Sequence, residues 1–311
     1  MRTHKIELKG PGACGTVVNA RLLRTVLGVL IDGSQQAVRL RTQGRSKARG
    51  SLPKWIDAAT EFQVEISEGS TVLEVQAPTL FEADPDGFSQ QQLFPEVDPH
   101  LTTIDYLAEA AEAAMGGEEH ADLYDRGLLS TLRKLDGVFR YGVDSVRIDR
   151  HQDGQVEHVR LTHRALTEFT RLEARIPHPQ QVKATGYLDT IRHSDHTFTL
   201  KAPGEAKPLK GVADEQHVTT LADLWGKSVL VSGLAHFTAG GRVQRIEAET
   251  IAAATDRDLK FWTVPEPVRR PLPAIDLRVE QGPRSGLASI LGKWPGDESD
   301  DVISEALEKM S

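Results

Sequence analysis

Apolar and polar positions follow two periods in this chain, and the period switches often. Phe62, Val64 and Ile66 alternate with polar neighbours and predict a one-sided strand, paired with Thr71–Val75 through the turn Glu68-Gly69-Ser70. Leu22, Leu23, Val26, Leu27, Leu30 and Ile31 recur at helical spacing and predict a helix over Ala20–Ile31, capped by Asn19 and stopped at Asp32-Gly33. A short strand, His4–Leu8, precedes it, and a strand bearing Arg39 and Arg41, Gln36–Thr42, follows. Further on, the pattern predicts helices over Ile104–Met115 (capped by Thr103) and Leu123–Leu135. Strands Ser145–Asp149 and Val156–Leu161 then turn at Asp153-Gly154, and Thr162 caps a helix over His163–Glu173. Trp55 is expected to pack on the core, and Asp84-Pro85-Asp86-Gly87 reads as a turn. Pro177 and Pro179 close this N-terminal α+β domain, residues 1–176.

Val182–Ile251 reads as three strands, a short helix and two more strands. The strands are Tyr187–Arg192, His196–Lys201, Lys207–Ala213, Ser228–Leu234 and Val243–Ala248, with the helix Leu221–Trp225 after the third. The parity of Val243 against Ile246 breaks simple alternation and calls for a bulge. This order resembles the OB-fold, a five-stranded barrel, and assigns residues 180–254 to it. The expected fold class is therefore α+β: an N-terminal mixed domain, an OB-like barrel, a Pro-rich linker over 255–284 and a helical tail over 285–311. Phe198 and Trp225 are expected in the barrel core, leaving Tyr187 and Phe237 as stacking platforms.

Charge sharpens this picture. The net charge is −8, but residues 1–60 hold eleven Lys or Arg against three acids, and the last fifteen residues hold six acids against Lys309. Arg39, Arg41, Arg45, Lys47, Arg49 and Lys54 follow one another with no acid between them, in a stretch whose Gly and Ser content predicts a loop over 39–54. Such a loop either tracks a phosphate backbone or is simply solvated. The 182–251 module itself is neutral, with eight cations and eight acids. The single cysteine, Cys14, excludes an internal disulfide framework and fits a reducing compartment. No apolar run approaches a membrane span, and MRTHKIELKG has no signal-peptide core, so a cytoplasmic bacterial protein is expected.

Catalytic motifs are absent. Gly10-Pro11-Gly12-Ala13-Cys14-Gly15 has the spacing of a dinucleotide turn, but the helix does not start at the glycines and no βαβ series follows. His193 and His196 flank a turn without further ligands, so no metal or cofactor is expected. Glu119, Asp122 and Asp125 gather at a helix start, where carboxylates suit the dipole. The chain is read as a non-catalytic binding protein.

The tail carries the most specific signal. Ser285 can cap a short helix, Gly286–Leu291, and Ser299 a final one whose apolar stripe is Ile303, Ala306, Leu307 and Met310. Between them lies Gly292-Lys293-Trp294-Pro295-Gly296-Asp297-Glu298. Residues Leu287–Asp300 resemble the C-terminal segments of bacterial antitoxins that travel with PIN-domain ribonuclease toxins. The resemblance spans about twenty-five residues; the rest of the chain departs from those small, DNA-binding antitoxins. It implies a protein partner, a PIN-type toxin, held by Leu287, Ile290, Leu291 and Trp294, by Asp297 and Glu298, and by Ile303 and Leu307. The alternative is that the 39–54 loop and the barrel face, with Tyr187 and Phe237, bind nucleic acid. The tail folding back on its own barrel is the third reading. The oligomeric state is undefined.

Overall fold

A computed structural model describes residues 1–13, 15, 17–47, 52–67, 71–89, 97–192, 196–201, 208–213, 218–255, 257–258 and 265–267. Residues Met1–Arg270 form one compact unit with two apolar cores. The tail, its Trp294 and the helices expected on either side of it lie outside the described residues, as do Cys14, Arg49 and His193.

The first core lies under a five-stranded sheet of order β2-β3-β1-β4-β5, antiparallel throughout. Its strands are β1 (Arg2–Lys9), β2 (Gln63–Ser67), β3 (Thr71–Ala77), β4 (Ser145–Gln152) and β5 (Gln155–Thr162). Alternation places Ile6, Leu8, Leu73, Val75, Val146, Ile148, Val159 and Leu161 on the inner face, all buried. Helices cover that face: α1 (Ala20–Gln43), α2 (Lys54–Ala58), the short α3 (Leu80–Ala83) and α4 (Pro85–Ser89), α5 (Thr103–Met115), α6 (Arg126–Leu132), α7 (Asp136–Phe139) and α8 (His163–Arg175). Val64 and Ile66 pair with the buried Val75 and Leu73 on the inner face, as alternation assigns them, but β2 is an edge strand and they stay 40% and 38% exposed. Asp84–Gly87 enters a helical turn rather than a loop.

The largest correction concerns α1. The helix does not stop at Asp32-Gly33 but runs on to Gln43 and ends at Gly44, which has φ 68° and donates its N–H to the Leu40 carbonyl. Gly33 is a packing glycine: a Cβ there would meet Leu107 Cδ1 of α5 at 2.9 Å. Gln36–Thr42, expected as a strand, is therefore helix, and Ala37, Val38 and Leu40 extend its buried side. Thr102, not Thr103, caps α5, in a capping box with Asp105. The helix expected over Leu123–Leu135 is shorter and broken: Asp125 caps α6, a 3₁₀ turn follows at Arg133–Leu135, and α7 completes the run.

The second core fills a closed barrel of order β10-β8-β7-β6-β9. Its strands are β6 (Gln180–Arg192), β7 (Thr197–Lys201), β8 (Leu209–Ala213), β9 (Ser228–Phe237) and β10 (Val243–Ala253), with α9 (Val218–Leu224) between β8 and β9. All pairings are antiparallel except β10 with β8, the parallel contact that closes the cylinder. The bulge demanded by the parity of Val243 is present, between Val243 and Arg245. Gly211 must lack a side chain, because a Cβ would lie 2.1 Å from the Phe198 ring tip opposite it. Trp225, expected in the core, is 66% exposed, and Phe237, expected at the surface, is 2% exposed. The inward parity of β9 (Val229, Val231, Ala235, Phe237) accounts for the second; the first follows because α9 ends before Trp225 and its ring lies outside.

Candidate functional site

The sheet module and the barrel meet along the end of α1. Arg245, at the start of β10, is 5% exposed and donates from Nη1 to the Gly44 carbonyl at 2.5 Å and from Nη2 to Glu247 at 3.0 Å. A guanidinium there meets the orphan carbonyls and the negative dipole end of a 24-residue helix. Beside it, Gln244 donates to the Tyr124 carbonyl (3.2 Å), Gly240 N–H to the Glu119 carbonyl (2.7 Å) and Arg242 to the His120 carbonyl (2.9 Å). Asp125 adds to the seam from its own module: besides capping α6 it accepts the backbone N–H and the hydroxyl of Ser46, at 3.0 and 2.5 Å.

This seam leaves a cleft of about 350 Å³ between the last turn of α1 and the outer face of β6, β7 and β8. Arg41 and Thr42 form one wall; Thr190, Arg192, Thr199 and Lys210 line the other. The size suits a small ligand or a few residues of an extended chain. Its charges are partly committed within the protein. Arg41 pairs with Glu109 at 2.6 Å and lies 5.8 Å over the Tyr106 ring, and Arg192 donates to the Thr42 carbonyl at 3.3 Å. Asp189, the one acid lining the cleft among the described residues, pairs with Lys201 at 2.8 Å. Tyr187 (44% exposed) and Trp225 flank Asp189; the Trp225 indole N–H donates to the Asp189 carbonyl at 3.1 Å.

The expected basic loop is thus dispersed. Arg39 and Arg41 sit on a helix; Arg39 bonds Gln43 at 2.8 Å, and only Arg41 reaches the cleft. Arg45 turns into the seam, 3.9 Å from Glu247, while Lys47 and Lys54 are exposed and separate from it. Tyr187 is an exposed ring on β6, two positions before the cleft-lining Asp189, whereas Phe237 is enclosed and cannot stack on a ligand. Trp225 and Lys210 went unnoticed as site residues, the first because an aromatic at a helix end reads as core.

Among the described residues one group could hold a metal: His4, Asp105 and His151, buried between the sheet and α5. Separations of 101 and 46 positions hide it from any motif scan. No family model matches this chain, no curated protein matches it in sequence, and no solved structure matches its fold. No helix among the described residues is long and apolar enough to cross a membrane.

Glu247 offers a direct check of the seam. The hydrogen bond from His236 and the neighbouring Arg245 hold its carboxyl near pH 2, against an ordinary value of 4.5. A depressed carboxyl stabilises the fold above its unfolded value and loses that contribution as pH falls through the folded one. Stability should therefore decline from about pH 4.5 toward pH 2, and Glu247→Gln should flatten that acid limb and cost about 1–2 kcal/mol at neutral pH, discounted for a side chain more than one-third exposed. Urea unfolding across pH reads both effects.

Proposed function

We propose that this chain is a non-catalytic binding protein of antitoxin type, whose segment 285–311 captures a PIN-type ribonuclease. The observation that carries the reading is the sequence Leu287–Asp300, with one tryptophan between two short amphipathic stretches and an acidic run after it. Trp294 is a large, rigid anchor of the kind that dominates interfaces. Ile303 and Leu307 form a stripe too thin to bury itself, which a groove on a partner would complete. Asp297 and Glu298 follow the anchor and, by the resemblance, reach toward the partner's active site. In this reading residues 1–270, whose two cores are built from their own residues, serve as the platform.

Coexpression with a PIN-type ribonuclease encoded beside this chain tests it. The full chain should copurify with and inhibit the nuclease, and a chain ending at Ser285 should do neither. Trp294→Ala should weaken the complex by about 30- to 1000-fold, the equivalent of 2–4 kcal/mol. An unchanged complex after truncation rules the tail out.

A second reading rests on the cleft. Strand order and the parallel closure of β10 on β8 support an OB-like barrel, and the β6–β8 face is where such barrels hold single strands. Lys210, Arg192, Tyr187 and Trp225 supply cations and rings along that face. Oligonucleotide binding would then weaken steeply with salt, and Lys210→Ala would reduce the slope by about 0.7 per lost phosphate contact. No binding at low salt excludes this reading.

A further inference from the structure

The His4, Asp105 and His151 cluster brings two imidazoles and a carboxylate from three elements to one point. Asp105, 1% exposed in the first turn of α5, accepts the Thr102 N–H (2.8 Å) on Oδ2, which also lies 2.9 Å from the Thr102 hydroxyl. Its Oδ1 accepts the backbone N–H of His151 at 2.6 Å. Thr102 Oγ1 in turn accepts the Asp105 N–H at 3.3 Å. The same Oγ1 lies 2.8 Å from His4 Nε2, and its one hydroxyl proton serves either that nitrogen or the carboxylate.

His4 Nδ1 lies 2.9 Å from the Asp149 carbonyl oxygen, to which it donates in the metal-free cluster, and 3.8 Å from Asp105 Oδ1. His151 Nδ1 is buried with no hydrogen-bond partner, 3.4 Å from the same Oδ1. The two imidazoles meet edge to face, with centroids 4.6 Å apart. Ligand atoms from β1, β4 and α5 thus lie within 4.8 Å of one another, and a cation would have one proton to displace, that on His4 Nδ1.

We propose that this point is a divalent cation site of zinc type, with His4 Nδ1, Asp105 Oδ1 and His151 Nδ1 as ligands and the Asp149 carbonyl or a water as the fourth. Zinc–nitrogen and zinc–oxygen lengths of about 2.0–2.2 Å put tetrahedral ligand pairs about 3.3–3.5 Å apart. The 3.4 and 3.8 Å separations fall at that spacing or within reach of a small closure. Two imidazoles and a carboxylate are a donor set for a borderline cation rather than for calcium or magnesium. The outer contacts are placed for it: Thr102 Oγ1 would receive the Nε2 proton of His4 once Nδ1 holds the ion, and it stands 2.9 Å from Asp105, the arrangement that orients metal-bound imidazoles elsewhere. Such an ion would pin the central strand β1 to its neighbour β4 and to α5. The inference is independent of the tail and of the cleft.

The test uses the full chain, stripped with chelator and titrated with zinc chloride or cobalt chloride. One zinc per chain should survive gel filtration and raise the thermal midpoint, and cobalt should give the visible absorption of a four-coordinate site. His151→Gln, at a position 18% exposed, should keep the apo circular dichroism spectrum and weaken zinc at least about 100-fold. Less than a tenth of an equivalent retained by the wild-type chain overturns the proposal. So does wild-type affinity in His151→Gln. Either result would mean that His4 keeps its Nδ1 proton on the Asp149 carbonyl and the cluster is a buried hydrogen-bond network only.

Discussion

A buried guanidinium at the end of a long helix organises this molecule. Arg245 leaves water almost completely, and burial alone would push its charge out. It stays because the Gly44 carbonyl and Glu247 meet it from two sides. That contact needs two features at once. Helix α1 must run its full length so that its carbonyls arrive at the barrel, and β10 must bulge after Val243 so that the Arg245 side chain can face them. Removing the guanidinium would leave a helix end and a carboxylate without their shared donor, a costlier change than the loss of an exposed ion pair. Tyr124, Glu119 and His120 lend backbone carbonyls to the same seam. The two cores thereby belong to one body, and the cleft over β6–β8 exists because α1 ends where it does.

Much of the architecture was legible because it rests on local chemistry. Asn19 caps α1 by accepting from Arg21 and Leu22, the Asp153-Gly154 hairpin turns at positive φ, and the barrel order follows from strand punctuation. What was not legible depends on contacts distant in sequence. Gly33 reads as a stop, yet its missing Cβ serves Leu107, seventy-four positions away. Ser34, Gln35 and Gln36 blur the apolar stripe, and Ser34 is buried all the same, so the second half of α1 reads as something else. Trp225 and Phe237 exchange their expected places because helix length and strand parity, not residue type, decide which side faces inward. The basic run looked continuous only in one dimension: folded, Arg41, Arg45 and Lys54 serve three different neighbourhoods. The His4 cluster is the extreme case, since its members come from the first strand, a helix start and the fourth strand.

The platform and the proposed tail divide the labour by physical type. The platform has ordinary buried cores joined by a hydrogen-bonded seam, and among the described residues it offers a cleft of moderate charge. The tail is short, acidic at its end and carries one large ring. In the proposed reading the tail's binding energy comes from the surface of another molecule, and residues 1–270 supply a body with its own cores.

The division can be measured by calorimetry on the full chain and on a chain ending at Arg270, without any partner present. If the tail is reserved for another molecule, both should unfold in a single transition at the same midpoint within about a degree. If the shorter chain instead melts several degrees lower, the terminal residues are part of this protein's own core, and the account of an external target is wrong.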